Sequence, residues 1–224
     1  MKIRIAIMAI VILCFLSTSG IAYDKQLDQQ AIHEAYVLGL QNDKSTGDFL
    51  ASYISEITGP QNGAHIAEIE LLTPYAQIVD DCRQQTGVNF TEQQATEDYK
   101  GRGDILKINV VIMLPAAYPK AAETGDAPTP PPATGQEKSA MQPENFWQNF
   151  KFNLKQNGKS VPSRKISNQP IHSTATNTAP AVLTGENVWL AFDVKDVASE
   201  ATTVEVVTPD GKSIKANFDL KKLR

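Results

Sequence analysis

Apolar positions recur with two different periods along this chain. In the first half they return every three or four residues, and in the last third every two. Leu27, Ala31, Ala35 and Leu38, flanked by Ile32, Tyr36 and Leu40, predict a helix over Asp24–Gln41. Asn42-Asp43-Lys44 reads as a turn. Ser45 then opens a second helix, with Asp48 three residues on in the manner of a capping box. Phe49, Leu50, Tyr53, Ile54 and Ile57 form its apolar face, and Thr58-Gly59-Pro60-Gln61-Asn62-Gly63 ends it. Residues 24–57 are thus expected to form an antiparallel helical hairpin.

His65 to Leu72 alternates Glu68 and Glu70 with Ile69 and Leu71, and reads as a strand. Thr73-Pro74 has the form of an N-cap followed by proline, opening a helix through Ile78, Val79 and Cys82. Thr91 and Gln94 form a capping box ahead of a short polar helix ending near Gly101. Ile105 to Leu114 is rich in Ile and Val, reads as a strand, and is broken only by Lys107 and Asn109. From Ala116 to Gln142 no apolar period survives, and Pro128 and Pro130-Pro131-Pro132 mark a flexible loop or linker.

Beyond that segment the pattern is that of strands. Phe146, Phe150, Phe152 and Leu154 share one face, and Asn157-Gly158 suits a type I′ turn. A partner strand is expected within Val161–Ser173, interrupted by Pro162. Val188, Leu190, Phe192 and Val194 mark another strand, and Val204 and Val206 the next. Pro209-Asp210-Gly211 turns into Ile214, Ala216, Phe218 and Leu220. Short strands, regular turns and inward alternation predict an immunoglobulin-like β-sandwich. The expected class is therefore α+β. A mainly helical subdomain over 23–104 is joined to a sandwich over 143–224, to which the strand at 105–115 also belongs.

The first 22 residues stand apart. Lys2 and Arg4 precede an unbroken apolar run, Ile5–Leu16, and Ser17–Ala22 is short and small-residued. This is the pattern of a secretory signal peptide, with cleavage expected between Ala22 and Tyr23. The run is too short for a spanning helix, which needs roughly 17–25 residues. Cys14 lies inside the run behind bulky Leu13, which disfavours lipidation. Ala35-Tyr36-Val37-Leu38-Gly39-Leu40, Phe49-Leu50-Ala51-Ser52-Tyr53 and Thr73-Pro74-Tyr75-Ala76-Gln77 resemble segments of a class of exported bacterial proteins that carry an immunoglobulin-like β-sandwich and have no assigned function. The resemblance implies export and transfers no activity and no site residue.

Composition narrows the chemistry. Without residues 1–22 the chain holds 19 Lys and Arg against 25 Asp and Glu. A nucleic-acid partner is not expected of a mildly acidic chain whose one basic cluster is Lys221-Lys222-Leu223-Arg224. Cys82 remains without an intramolecular partner and reads as a small buried hydrophobe, so an intermolecular disulfide through it is not expected. His33, His65 and His172 have no metal-ligand spacing, and neither a metal nor a cofactor is expected. No Gly-x-Ser-x-Gly occurs. Gly211-Lys212-Ser213 lacks the upstream glycine of a phosphate loop, Val206 standing in its place. Asp43–Asp48 lacks the closing glutamate of a calcium loop. Glu68 and Glu70 would stand about 7 Å apart on one strand face, and Asp80-Asp81 on a polar helix face.

Trp147 and Trp189 are both expected off the main apolar faces of their strands, where an indole can meet a ligand or partner. The expected function is that of an exported, non-catalytic binding or assembly module whose partner is a protein or glycan of the cell envelope. One alternative is a carbohydrate-binding protein that uses Trp147 and Trp189. The other is a hydrolase whose site, around Glu68, Asp80 or His65, is dispersed in sequence.

Overall fold

The computed structural model describes residues 23–59, 63–87, 89–115, 145–174 and 181–224. The expected leader over 1–22 and the loop over 116–142 lie outside these residues. Among the described residues the chain is mixed α+β, with four α-helices and nine strands in two antiparallel sheets.

Helix α1 spans Gln29–Gln41, α2 Lys44–Ala51, α3 Pro74–Gln84 and α4 Glu92–Arg102. Each starts at a side-chain cap. Asp28 accepts from the Ala31 amide at 2.8 Å, so α1 begins five residues later than its apolar period predicts. Asp43, rather than Ser45, caps α2 by accepting from the Ser45 and Thr46 amides. Asp48 instead pairs with Lys44 at 2.5 Å, one turn apart. Thr73 caps α3 with Pro74 in the first turn. Thr91 and Gln94 form a reciprocal capping box. Replacing Thr91 by Ala removes half of that box and is expected to lower stability by about 1 kcal/mol, read as a lower urea midpoint with an unchanged denaturant slope.

The expected second helix stops short. After Ala51 the chain turns, and Ile54–Glu56 forms strand β1. It pairs with β2, His65–Leu72, in the register Ile54↔Glu70, Ser55↔Ile69, Glu56↔Glu68. The Tyr53 carbonyl accepts from the Leu71 amide at 2.9 Å, and the Ile57 amide donates to Ala67 O at 2.9 Å. The apolar residues that read as one helix face are thus divided between a two-turn helix and an edge strand. Apolar spacing alone does not separate these states, and cross-strand pairing to β2 decides between them.

Strand β3, Ile105–Met113, lies between β2 and β7, Leu183–Asp193. The five-stranded sheet has the order β1-β2-β3-β7-β6, with β6 at Lys165–His172. The four-stranded sheet has the order β5-β4-β8-β9. Its strands are β4 Lys151–Gln156, β5 Lys159–Val161, β8 Ala201–Val207 and β9 Ser213–Asp219. Asn157 and Gly158 both have positive φ, 48° and 74°, as the β4–β5 turn requires. The single partner strand expected over Val161–Ser173 is two strands in different sheets. Pro162, with no N–H to offer a ladder, marks the crossing.

Residues 23–104 therefore supply the two strands β1 and β2 as well as the helices. Inward side chains of both sheets belong to one core. Ile66, Ile69, Leu71, Ile108, Val110, Val188, Leu190 and Phe192 come from one sheet, and Leu154, Val204, Val206, Ala216 and Phe218 from the other. A second apolar cluster joins the helices through Ile32, Ala35, Leu50, Ile78, Val79, Cys82 and Tyr99. Gly39 lets α1 and α3 approach closely, because a Cβ there would stand 2.5 Å from both Cys82 Cβ and the Val79 carbonyl oxygen.

Residue 224 stitches the helices to the sheets. Its carbonyl oxygen accepts from the Tyr53 hydroxyl at 2.8 Å and from the Thr73 hydroxyl. Its guanidinium reaches Glu34 at 2.5 Å and Asp24 at 3.7 Å, and lies over the Tyr75 ring at 4.4 Å.

Candidate binding face

Period-two alternation places every second residue of the five-stranded sheet away from the shared core. The register aligns these outward residues into rows. One row reads Ile54, Glu70, Asn109, Trp189 and Ser167 across β1, β2, β3, β7 and β6. The next reads Glu56, Glu68, Val111, Asn187 and Gln169. On the other side lie Lys107, Ala191 and Lys165. Glu56, Glu68 and Glu70 collect on the β1–β2 side, and Lys107 and Lys165 on the β3–β6 side, where Asp193 at the end of β7 is paired with Arg164 at 3.3 Å.

Trp189 sits on β7, one strand in from the β6 edge, half-buried and opposite Val188, Leu190 and Phe192 as the alternation predicts. The Lys107 ammonium stands 3.9 Å from the centre of its ring. Among the described residues Lys107 makes no ion pair at contact distance. Burial holds its pKa below the ordinary lysine value. The opposite sheet is different: there Glu205 is held by Lys155 at 2.5 Å, Lys215 at 3.7 Å and the Ser213 hydroxyl at 2.8 Å. Those partners keep its carboxyl below the usual range.

Glu70 is the most displaced acid on the face. Burial, then Asp80 and Glu68, push its carboxyl up to about 7, against the pull of Lys107 and Arg83. Directly across from it, Asn109 is only 7% exposed, and its Oδ1 is buried without a hydrogen-bond partner. The helices close this side. Asp80 accepts from Arg83 at 2.8 Å and from Gln84 at 2.6 Å, and Arg102 donates to Asp81 at 2.7 Å. Arg102 Nη2 is buried with no hydrogen-bond partner.

Trp147 has different surroundings. Phe146–Asn149 is a 3₁₀ turn rather than the start of a strand, closed by Gln148 N to Asn145 O and Phe150 N to Trp147 O. The face assigned to Trp147 by alternation therefore does not hold. Its ring packs, half-buried, against the shared core, with Nε1 buried and unpartnered. It precedes a strand of the four-stranded sheet, whereas Trp189 stands on the outer face of the other sheet. The structure does not join the two indoles into one platform.

The remaining candidates are dispersed. His33 Nδ1 meets Glu92 at 2.8 Å on the helical surface, and His65 Nδ1 meets Gly63 O at 3.0 Å. His172 is exposed at the end of β6. Among the described residues no group of three or more His, Cys, Asp or Glu is disposed to hold a metal ion. Cys82 is fully buried, and burial pushes its thiol up to about 12, which leaves little thiolate to react. Glu68 and Glu70 do share the outer face.

Lys107 and Asn109 are the site residues that the pattern marked without revealing their role. They interrupt an apolar strand at a spacing of two, which is the mark of one face turned toward polar surroundings. Among the described residues no helix is long and apolar enough to cross a membrane. No protein-family model, curated protein or solved structure matches the chain.

Proposed function

We propose that this chain is an exported, non-catalytic binding module of the bacterial cell envelope. On this reading its two sheets form an immunoglobulin-like sandwich, and its ligand lies on the outer face of the five-stranded sheet around Trp189. The observation that carries the reading is the row Glu70, Asn109, Trp189 and Ser167 with the Lys107 ammonium beside it. It sets an indole, a half-buried cation and an orphaned acceptor together on one sheet face. The leader pattern of residues 1–22 supports export, and the inward residues that both sheets contribute to one core support the sandwich.

A carbohydrate ligand is the second reading, resting on Trp189 alone of the two indoles. An aromatic ring amid amide and hydroxyl side chains, here Asn187, Gln169 and Ser167, offers stacking together with directional hydrogen bonds.

Retention of envelope components on the immobilised wild-type protein tests the binding face. Trp189→Ala is expected to reduce retention of a bound component at least tenfold, while Lys151→Ala, on the other sheet, leaves it unchanged. Circular dichroism verifies that both variants fold. Equal retention by wild type and Trp189→Ala would overturn this location for the site.

A further inference from the structure

We infer that the Trp189 face takes a glycan bearing carboxylate groups, a uronic-acid polysaccharide, with the sugar ring on the indole and its carboxylate on Lys107. This rests on the carbohydrate reading above and adds the charge class of the ligand.

Three observations on one face point to it. First, Lys107 is a half-buried cation whose close partner is the Trp189 ring at 3.9 Å rather than a carboxylate. A carboxylate offers the ammonium a charge-assisted hydrogen bond, a stronger partner than a ring face. Acceptance of that carboxylate draws the ammonium off the indole and frees the ring for a pyranose. Second, the charge across the face is divided. Glu56, Glu68 and Glu70 occupy β1 and β2, with Asp80, Asp81, Arg83 and Arg102 on the adjoining helices, whereas Lys165 flanks Lys107 from the β6 side. An acidic ligand is thus steered onto the β3–β7–β6 half. Third, that half carries the hydrogen-bonding groups of Ser167, Gln169 and Asn187 in rows across adjacent strands. Strand spacing gives the Asn109–Trp189–Ser167 row a width of about 10 Å, which suits two linked sugar rings.

The arrangement yields an effect of opposite sign for two ligands. Lys107→Gln removes the carboxylate's partner and also uncovers the indole. A tetrameric oligogalacturonate is therefore expected to bind Lys107→Gln at least tenfold more weakly than wild type. A neutral cello-oligosaccharide of the same length binds Lys107→Gln as well as wild type, or better. Trp189→Ala loses both, and Lys151→Gln, on the other sheet, loses neither.

Titration calorimetry at pH 7 on the folded variants, with a poly-glutamate peptide of matching charge alongside, reads these outcomes. Wild type that binds the neutral oligomer and not the oligogalacturonate overturns the inference and leaves the carbohydrate reading standing. Equal uronate affinity in wild type and Lys107→Gln overturns it too. Poly-glutamate affinity equal to that of oligogalacturonate overturns it by showing that charge suffices without a sugar ring. Failure of both sugars to bind wild type removes the carbohydrate reading itself.

Discussion

Replacing Glu70 by Gln is expected to stabilise the protein at pH 8 by up to about 3 kcal/mol, and to change it little near pH 4.5. Burial, Asp80 and Glu68 move the Glu70 carboxyl from an ordinary 4.5 up to about 7. The native state therefore holds this proton more tightly than the unfolded chain does. For an acid displaced upward, stability declines as pH rises through the window between the two values. Above that window the folded protein carries an unfavourable charge that the unfolded chain does not feel. Gln is neutral at every pH and close to the protonated acid in shape. Lys107 across the ladder and Arg83 on α3 already offset part of the penalty, and solvent reaches the half-buried group, so 3 kcal/mol is an upper bound. Urea unfolding of both proteins at pH 4.5, 6, 7 and 8 provides the check. The readout is the difference between the two curves, because carboxylates held low, such as Asp210 beside Lys212, shape the acid limb of both. Parallel curves across that range would overturn the assignment.

Gly39→Ala is expected to cost about 2 kcal/mol, a net of overpacking against the ~1 kcal/mol that Ala ordinarily gains over Gly inside a helix. The sign is set by what the new methyl meets. One neighbour is the Cys82 Cβ and the other is the Val79 carbonyl oxygen, both at 2.5 Å and neither at the end of a flexible side chain. Helices α1 and α3 must separate, which loosens the cluster that holds Ile32, Ala35, Ile78 and Val79. Cys82→Ala keeps its Cβ and so is not expected to rescue Gly39→Ala. A lower urea midpoint that persists in the double variant supports this contact. Full rescue by Cys82→Ala would place the clash on the sulfur instead.

Features that close within a few residues were legible in the sequence. The Thr73-Pro74 cap, the Thr91–Gln94 box and the Asn157-Gly158 turn each have donor and acceptor within a short stretch, so their spacing carries the geometry. Strand His65–Leu72 kept its expected bounds, and Glu68 and Glu70 alternate with Ile69 and Leu71 as expected, although a register shift between Ile66 and Glu68 interrupts the period. Features decided by distant partners were not. Ile54 and Ile57 fit a helix face equally well, and only β2 draws them into a strand. Trp147 follows the alternation of Phe150 and Phe152 on paper, but an i to i+3 turn removes it from the strand. At the candidate binding face, the orientation of Trp189 followed from its own strand. Its neighbours Glu70, Lys107 and Ser167 come from three other strands, and strand register alone brings them together.

The contacts of residue 224 bear on the order of folding. The Tyr53–Arg224 hydrogen bond joins positions 171 residues apart, and Thr73, Glu34 and Asp24 meet the same residue. Loops of that length close late, because the entropy of joining distant segments must be met before the contact gives anything back. The junction of the helices with β1 and α3 therefore reaches its final arrangement only once residue 224 has docked on Tyr53 and Thr73. The helical cluster around Ile32, Ala35, Ile78 and Val79 does not include residue 224 and can pack earlier, so the seam between helices and sheets is the last part to close.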